Sequence, residues 1–245
     1  MININYVKNQ KINNIQLVKI LFYTFPVWFI VGNLAVSIHC LLFIISSLIL
    51  IKRHKLKFRF NNLNWLLILF FLYFFISTTI QFQIPGLLND KIQNWSLENN
   101  PIFKAFLLIR FVILIFVIDT LFFNKILNLE KLFLTSLLCT SFVSFDILLQ
   151  FFTGTDLLGY KSFAKWNSGP FGDEMIAGTY IKNFSFLSIF YIFIKLKNKN
   201  YNNSLLIFVI ILNLTAALLT GNRMPFVLFL FGCFLIILLI KNLRL

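Results

Sequence analysis

Long apolar runs, separated by short polar segments, organise this chain. Residues 65–84, 102–123, 132–152 and 176–196 are each almost wholly apolar over about 20 residues. At about 1.5 Å of rise per residue, a helix of that length crosses the roughly 30 Å hydrocarbon layer of a bilayer. Two further runs are too long for one crossing. Residues 20–51 contain Pro26 and the pair Gly32-Asn33, and residues 204–240 contain Gly221 and Pro225 on either side of Arg223. Each is read as two short helices joined at its break, because Gly and Pro interrupt a helix. The pattern therefore predicts an all-α, polytopic helical membrane protein of about eight transmembrane helices, two pairs of them short hairpins. No linker or repeat divides it, so residues 1–245 read as one helical transmembrane domain.

Composition places the chain in a membrane. It is 59% hydrophobic and 12% charged, with a mean hydropathy of +0.86, a balance that a soluble chain of this length does not show. The apolar start of 20–51 lacks a small-residue cleavage signature and reads as an anchor. The net charge of +14 raises nucleic-acid binding as a possibility, but the distribution of the basic residues excludes it. Most of them lie in alternate segments: Lys8, Lys11 and Lys19; Lys52 to Arg59; Lys125 and Lys131; Lys195, Lys197 and Lys199; Lys241 and Arg244. Short basic loops mark the cytoplasmic side, which predicts both termini inside. The outer segments are then 85–101, 153–175 and 221–223. They carry Asp90, Glu98, Asp156, Asp173 and Glu174. Cys40, Cys139 and Cys233 lie far apart in apolar runs and read as small hydrophobes, with neither a disulfide framework nor a metal site.

Two charged breaks hold the candidate chemistry. The first is Ser168-Gly169-Pro170-Phe171-Gly172-Asp173-Glu174, and the second is Leu219-Thr220-Gly221-Asn222-Arg223. The last two helices span only about 25 Å each at this rise, so their turn is expected below the outer surface. Two readings of Arg223 compete there. With Thr220 and Asn222 it forms a phosphate grip, since a guanidinium stays charged and donates in pairs; otherwise it snorkels to lipid headgroups. Arg110, Asp146 and Lys182 each fall about 10 Å inside their runs at this rise. They form either a polar layer facing the bundle interior or a set of independently snorkelling side chains. Asp173 and Glu174 either cap the helix that follows, or bind sugar hydroxyls or pair with Arg110 or Arg223. Asp119, close to Lys125, reads as interfacial. The chain has no phosphate-binding loop ending in Lys-Ser/Thr, no Asp-x-Asp and no histidine pair at ligand spacing. Its histidines are His39 and His54, and neither falls in an outer segment.

These residues resemble the first part of a bacterial O-antigen ligase or O-antigen polymerase family member. Leu219-Thr220-Gly221-Asn222-Arg223 is similar to that family's Thr-x-Ser-Arg turn. Ser168 to Gly178 is similar to its Gly-x-Phe loop leading into a helix, and Asp146 to Gly154 is similar to the segment before that loop. The resemblance covers most of the chain from about Trp65. It departs at Asn222, where the family commonly has Ser, and at Pro170-Phe171-Gly172, where it commonly has Asn-Pro-Asn. The resemblance implies transfer of a glycan from a polyprenyl pyrophosphate to a sugar hydroxyl on a lipid or glycan acceptor, at the periplasmic side of the bacterial inner membrane. Arg223, with Arg110 second, would bind and stabilise the leaving pyrophosphate as the catalytic groups, without metal or other cofactor. Asp173, Glu174, Lys182, Asp146 and Asn222 would contact the substrate. Membrane lipids and the lipid-linked glycan are the expected partners, and nucleic acid is not. Family members carry a later outer loop with a histidine proposed as general base, so the chain to Leu245 is expected to be the N-terminal part of a member. A multi-pass transporter or flippase, or a non-catalytic membrane subunit, are the alternatives from other classes.

Overall fold

The computed structural model describes residues 4–58, 62–83, 105, 107–162, 166–195 and 202–239. Its ordered elements are helical: α1 Ile4–Tyr23, α2 Phe25–Val31, α3 Asn33–His54, α4 Asn62–Gln83, α5 Ile109–Phe123, α6 Leu129–Thr153, α7 Ala177–Lys195, α8 Asn202–Leu219 and α9 Arg223–Leu239. A 3-10 turn, Gly169–Phe171, lies between α6 and α7. The described residues form no named strand, only one isolated antiparallel bridge, Thr155 with Lys161. Large apolar side chains stand exposed along these helices, among them Leu34 at 76%, Tyr73 at 73% and Phe152 at 79%. Water would penalise such a surface and hydrocarbon would not. The helices suit a membrane.

The expectation of eight crossings is corrected. Among the described residues, α3, α6 and α7 are long and apolar enough to cross a membrane. A fourth crossing is added if the bent pair α1–α2 counts as one span. The apolar stretches of α4, α8 and α9 are shorter, and the predicted outer segment 85–101, with Asp90 and Glu98, lies outside the described residues. Hydropathy alone marks a run as membrane-compatible; it does not fix where helices start and stop within it.

The 20–51 run illustrates the difference. It does break at Gly32, whose φ of 129° lies where only glycine is relaxed. The two sides are unequal, however. The seven-residue α2 continues α1 after a 56° bend, while α3 carries 22 residues by itself. Thr24 and Pro26 make the bend. Pro26 has no N–H to give Phe22, and the Thr24 hydroxyl donates to the Ile20 carbonyl at 2.9 Å. Past Gly32 the chain folds back, so that the buried His39 ring lies against Phe25 and Trp28, with ring centroids 4.9 and 5.1 Å apart. Its Nε2 meets the Leu21 carbonyl at 2.7 Å. His39 is thereby a packing residue of this hairpin.

The chain forms two compact units, one of residues 1–19 and 40–127 and the other of 20–39 and 128–245. In the first, α4 packs on α5, and the Asn64 side chain donates to the Asp119 carboxylate at 3.1 Å. That bond gives Asp119 a structural role. In the second, α6, α7 and α8 pack mutually and α9 lies against α7 and α8. Val143, Ile147, Tyr180, Ile181, Ala216 and Ala217 fill one level of this core; Ile189, Ile192, Leu206, Val209 and Phe229 fill another. Polar pairs cross the helix interfaces, Ser144 to Asn213 at 2.8 Å and Thr140 to Ser188 at 2.9 Å. Small hydroxyl residues that let backbones approach while bonding across helices are the usual glue where lipid weakens hydrophobic association.

Candidate functional site

One end of the second unit gathers both charged breaks. α6 stops at Gly154, whose φ of 81° and N–H bond to the Gln150 carbonyl close the helix. The loop that follows is tied back to the helix it has just left. Asp146, fully buried and two turns inside α6, accepts the Leu157 N–H through Oδ1 at 2.8 Å. Gln150 holds both limbs of the loop: its Oε1 accepts the Gly169 N–H at 2.8 Å and its Nε2 donates to the Tyr160 carbonyl at 3.3 Å. Asp156 closes the loop tip by accepting the Tyr160 N–H through its carboxylate. Gly169 is required at its position. Its φ is +55°, and a Cβ there would stand 2.9 Å from Ile147 Cγ1.

The second break sits on the first through two side-chain amides. Asn167 donates to the Leu219 carbonyl at 2.8 Å, and Asn222 donates to the Met175 carbonyl at 2.9 Å. Each amide takes a backbone oxygen of the opposite segment, so the loop before α7 and the turn between α8 and α9 form one construction. Gly178 permits the closeness, since a Cβ there would lie 2.8 Å from Thr220 Oγ1 and 3.3 Å from the Pro225 ring. Pro225, buried in the first turn of α9, occupies a position where a missing N–H costs nothing. Tyr180, one turn into α7, packs on Phe171 and donates its hydroxyl to the Pro26 carbonyl at 2.9 Å. Between the two breaks lies a cleft of about 10 Å³, bordered by Asn167, Ser168, Met175, Thr220 and Asn222, which has room for about one water molecule. A larger ligand would therefore meet this end from outside.

Arg223 is the first residue of α9 and is exposed. The positive end of the helix dipole and the guanidinium coincide there, with no acidic residue in the first turn of α9. Among the described residues no carboxylate forms an ion pair with Arg223. Like charges gathered at a helix N-terminus make a site suited to an anion. Asn222 lies beside it but spends its side-chain donor on Met175.

The other predicted residues fall as follows. Asp173 and Glu174 are exposed. They do not cap α7, which begins three residues later at Ala177, and neither pairs with Arg223 among the described residues; Glu174 accepts from the Asn33 amide at 3.4 Å. Lys182 is half-buried in α7 and forms no ion pair with Asp146 among the described residues. The expected compensation between those two is replaced by the loop backbone, which takes Asp146 Oδ1 and leaves Oδ2 buried without a partner. Arg110 belongs to the first unit. Arg110 stands in the first turn of α5 as described, with its guanidinium 4.9 Å from the Phe111 ring centroid; residues 102–104 and 106 of its predicted run lie outside the described residues.

Gln150, Asn167, Gly178 and Tyr180 hold this end together without having been singled out as candidates. Gln150 carried a readable signal, a lone amide among apolar residues one turn before a glycine stop. Asn167 and Tyr180 act through backbone carbonyls distant in sequence, which no local pattern announces. No family model, curated protein or solved structure matches the chain.

Proposed function

We propose that this end of the second unit binds the phosphate of a lipid-linked glycan, and that the protein acts in cell-surface polysaccharide assembly as its resemblance to O-antigen ligases and polymerases implies. The carrying observation is the placement of Arg223 at the positive end of α9, on a turn that Asn222 and Asn167 seat against the Ser168 to Glu174 loop. In this reading Arg223 holds the pyrophosphate of a polyprenyl carrier and stabilises the negative charge that develops on it as its bond to the glycan breaks and the polyprenyl pyrophosphate departs. Asp173 and Glu174, exposed on the adjoining loop, accept hydrogen bonds from sugar hydroxyls. The glycan passes to a hydroxyl of a sugar acceptor on the periplasmic side of the bacterial inner membrane.

The test is binding, measured on the purified chain in detergent with polyprenyl pyrophosphate and polyprenol as probes. Arg223→Ala should weaken polyprenyl pyrophosphate binding by about tenfold or more, as loss of one charge-assisted contact worth about 1.5–3 kcal/mol implies. Binding of the uncharged polyprenol should not change. Equal losses for both probes, or none for either, would remove Arg223 from the site and the reading with it.

A further inference from the structure

The first unit carries a second feature, independent of the site above, at the end of α3 rich in basic residues. A groove of about 410 Å³ runs between α3 and α5, lined by Leu48, Phe58, Ile113, Phe116 and Val117. It adjoins a second groove of about 420 Å³ in which Lys52 and Lys55 join Leu48 and Phe58. Both volumes fall in the range of small-molecule sites, about 300–1,000 Å³. Leu48, Lys52 and Lys55 stand at i, i+4 and i+7, one stripe along α3 and its end. The stripe passes from apolar to cationic over about 10 Å, at 1.5 Å per residue. Ile113, Phe116 and Val117 form the matching stripe of α5, at i, i+3 and i+4.

The backbone at this end carries independent evidence. α3 closes by the paired bonds Leu56 N–H to the Ile51 carbonyl at 3.1 Å and Lys55 N–H to the Lys52 carbonyl at 3.4 Å. α5 closes in the same way, Ile126 to Leu121 at 3.0 Å and Lys125 to Phe122 at 2.9 Å. In each closure the left-handed residue is a lysine, Lys55 at φ 48° and Lys125 at φ 55°. Such positions are ordinarily glycine, which adopts them without strain. The dipole at the end of α3 is already matched by Lys52 and Arg53 in its last turn. At the end of α3 the left-handed position thus carries a further cation, Lys55, which lines the second groove. The Asn124 amide donates to the Lys57 carbonyl at 3.2 Å, which fixes the segment carrying Lys55 and Phe58 against the end of α5.

We infer that this groove is a binding site for an anionic phospholipid, with an acyl chain along Leu48, Ile113 and Val117 and the phosphate at Lys52 and Lys55. An uncharged chain would leave the lysines unmatched, and a free phosphate would leave the apolar groove unfilled; a phospholipid satisfies both. Lys52 and Lys55 are exposed, and no carboxylate pairs with either among the described residues.

The experiment is native mass spectrometry of the full chain in detergent, titrated separately with phosphatidylglycerol and phosphatidylcholine. Phosphatidylglycerol should be retained preferentially, and Lys52→Gln and Lys55→Gln should each reduce that retention about fivefold, the equivalent of about 1 kcal/mol per basic residue at an anionic surface. Lys55→Gly should give the same loss with a melting temperature unchanged or raised, because it relieves the left-handed backbone; this separates lost charge from lost fold. Ile113→Trp, which fills the groove at a half-exposed position, should lower retention of both lipids. Equal retention of the two headgroups, or a Lys55→Gly protein that binds phosphatidylglycerol as before, overturns the assignment. So does displacement of the lipid by inorganic phosphate in a protein indifferent to Ile113→Trp, which would mark a site for phosphate alone.

Discussion

At the scale of single residues, the polar end of the second unit depends on side chains that serve backbone groups. Gln150 shows the logic. A glutamine in an apolar helix is costly unless its amide is fully used, and here the oxygen takes the Gly169 N–H while the nitrogen gives to the Tyr160 carbonyl. Gln150→Leu keeps the volume and removes both bonds, leaving a buried N–H without a partner at a cost of about 1–3 kcal/mol. For a chain of this size that lowers Tm by roughly 2–4 °C per kcal/mol, as read by thermal unfolding in detergent. The loss should be local first, so limited proteolysis between residues 154 and 176 should accelerate more than global unfolding does. A loop as resistant in Gln150→Leu as in the parent would show that the two bonds do not hold it. Asp146 differs in that one of its oxygens accepts from Leu157 and the other has no partner. Its residue type was legible as an intramembrane acid, whereas its partner, a backbone amide eleven residues ahead, was not.

At the scale of elements, breaks were easier to read than contacts. The helices α8 and α9 have 18 and 17 residues and the chain turns between them at Gly221 (φ 75°), because a Gly with a Pro four residues on is a signal written in the local sequence. The closure of α6 at Gly154 is equally local. The bend at Thr24 and Pro26 was harder to place, since α1 extends a polar N-terminal stretch into the apolar run and so blurs the start of the element. Cross-helix pairs were not readable at all. Ser144 and Asn213 are 69 positions apart, and a serine or asparagine in an apolar run gives no sign of which helix it faces. The contact of α7 with α9 is of this kind and can be tested. Gly232 faces the Phe186 ring so closely that an added Cβ would lie 2.2 Å from its Cζ, while that ring also packs on Phe229 at 5.3 Å. Gly232→Ala should therefore push Phe186 off Phe229 and destabilise by about 1–3 kcal/mol, the usual cost of overpacking. Phe186→Leu should restore most of that loss in the double variant, a coupling measurable by a thermal double-mutant cycle. Additive losses would show that the two helices do not meet at this point.

At the scale of the whole molecule, the charge pattern adds a direction that packing alone lacks. In the second unit α6 and α7 run antiparallel and are both long and apolar enough to cross a membrane. Their two ends differ in character. At one end Glu130 pairs with Lys195 and Lys131 lies over the Tyr23 ring, with Lys197 and Lys199 following in sequence. At the other end are Asp156, Asp173, Glu174 and the loop tied to Gln150. The bias of basic residues toward cytoplasmic loops then predicts that the Lys195 end faces the cytoplasm and the 154–176 loop faces outward. Single cysteines report this directly in a background with Cys40, Cys139 and Cys233 replaced by Ala. Leu158→Cys, at an exposed loop position (64%), should react with a membrane-impermeant maleimide added to intact cells. Leu129→Cys, exposed by 44% at the start of α6, should react only after the membrane is opened. Reaction of both from one side would mean that α6 does not cross, and the outward-facing phosphate site would lose its basis even with every hydrogen bond around Gln150 intact. The reverse pattern would keep the crossing and place Arg223 on the cytoplasmic side, where a phosphate grip would have to serve a different lipid-linked substrate.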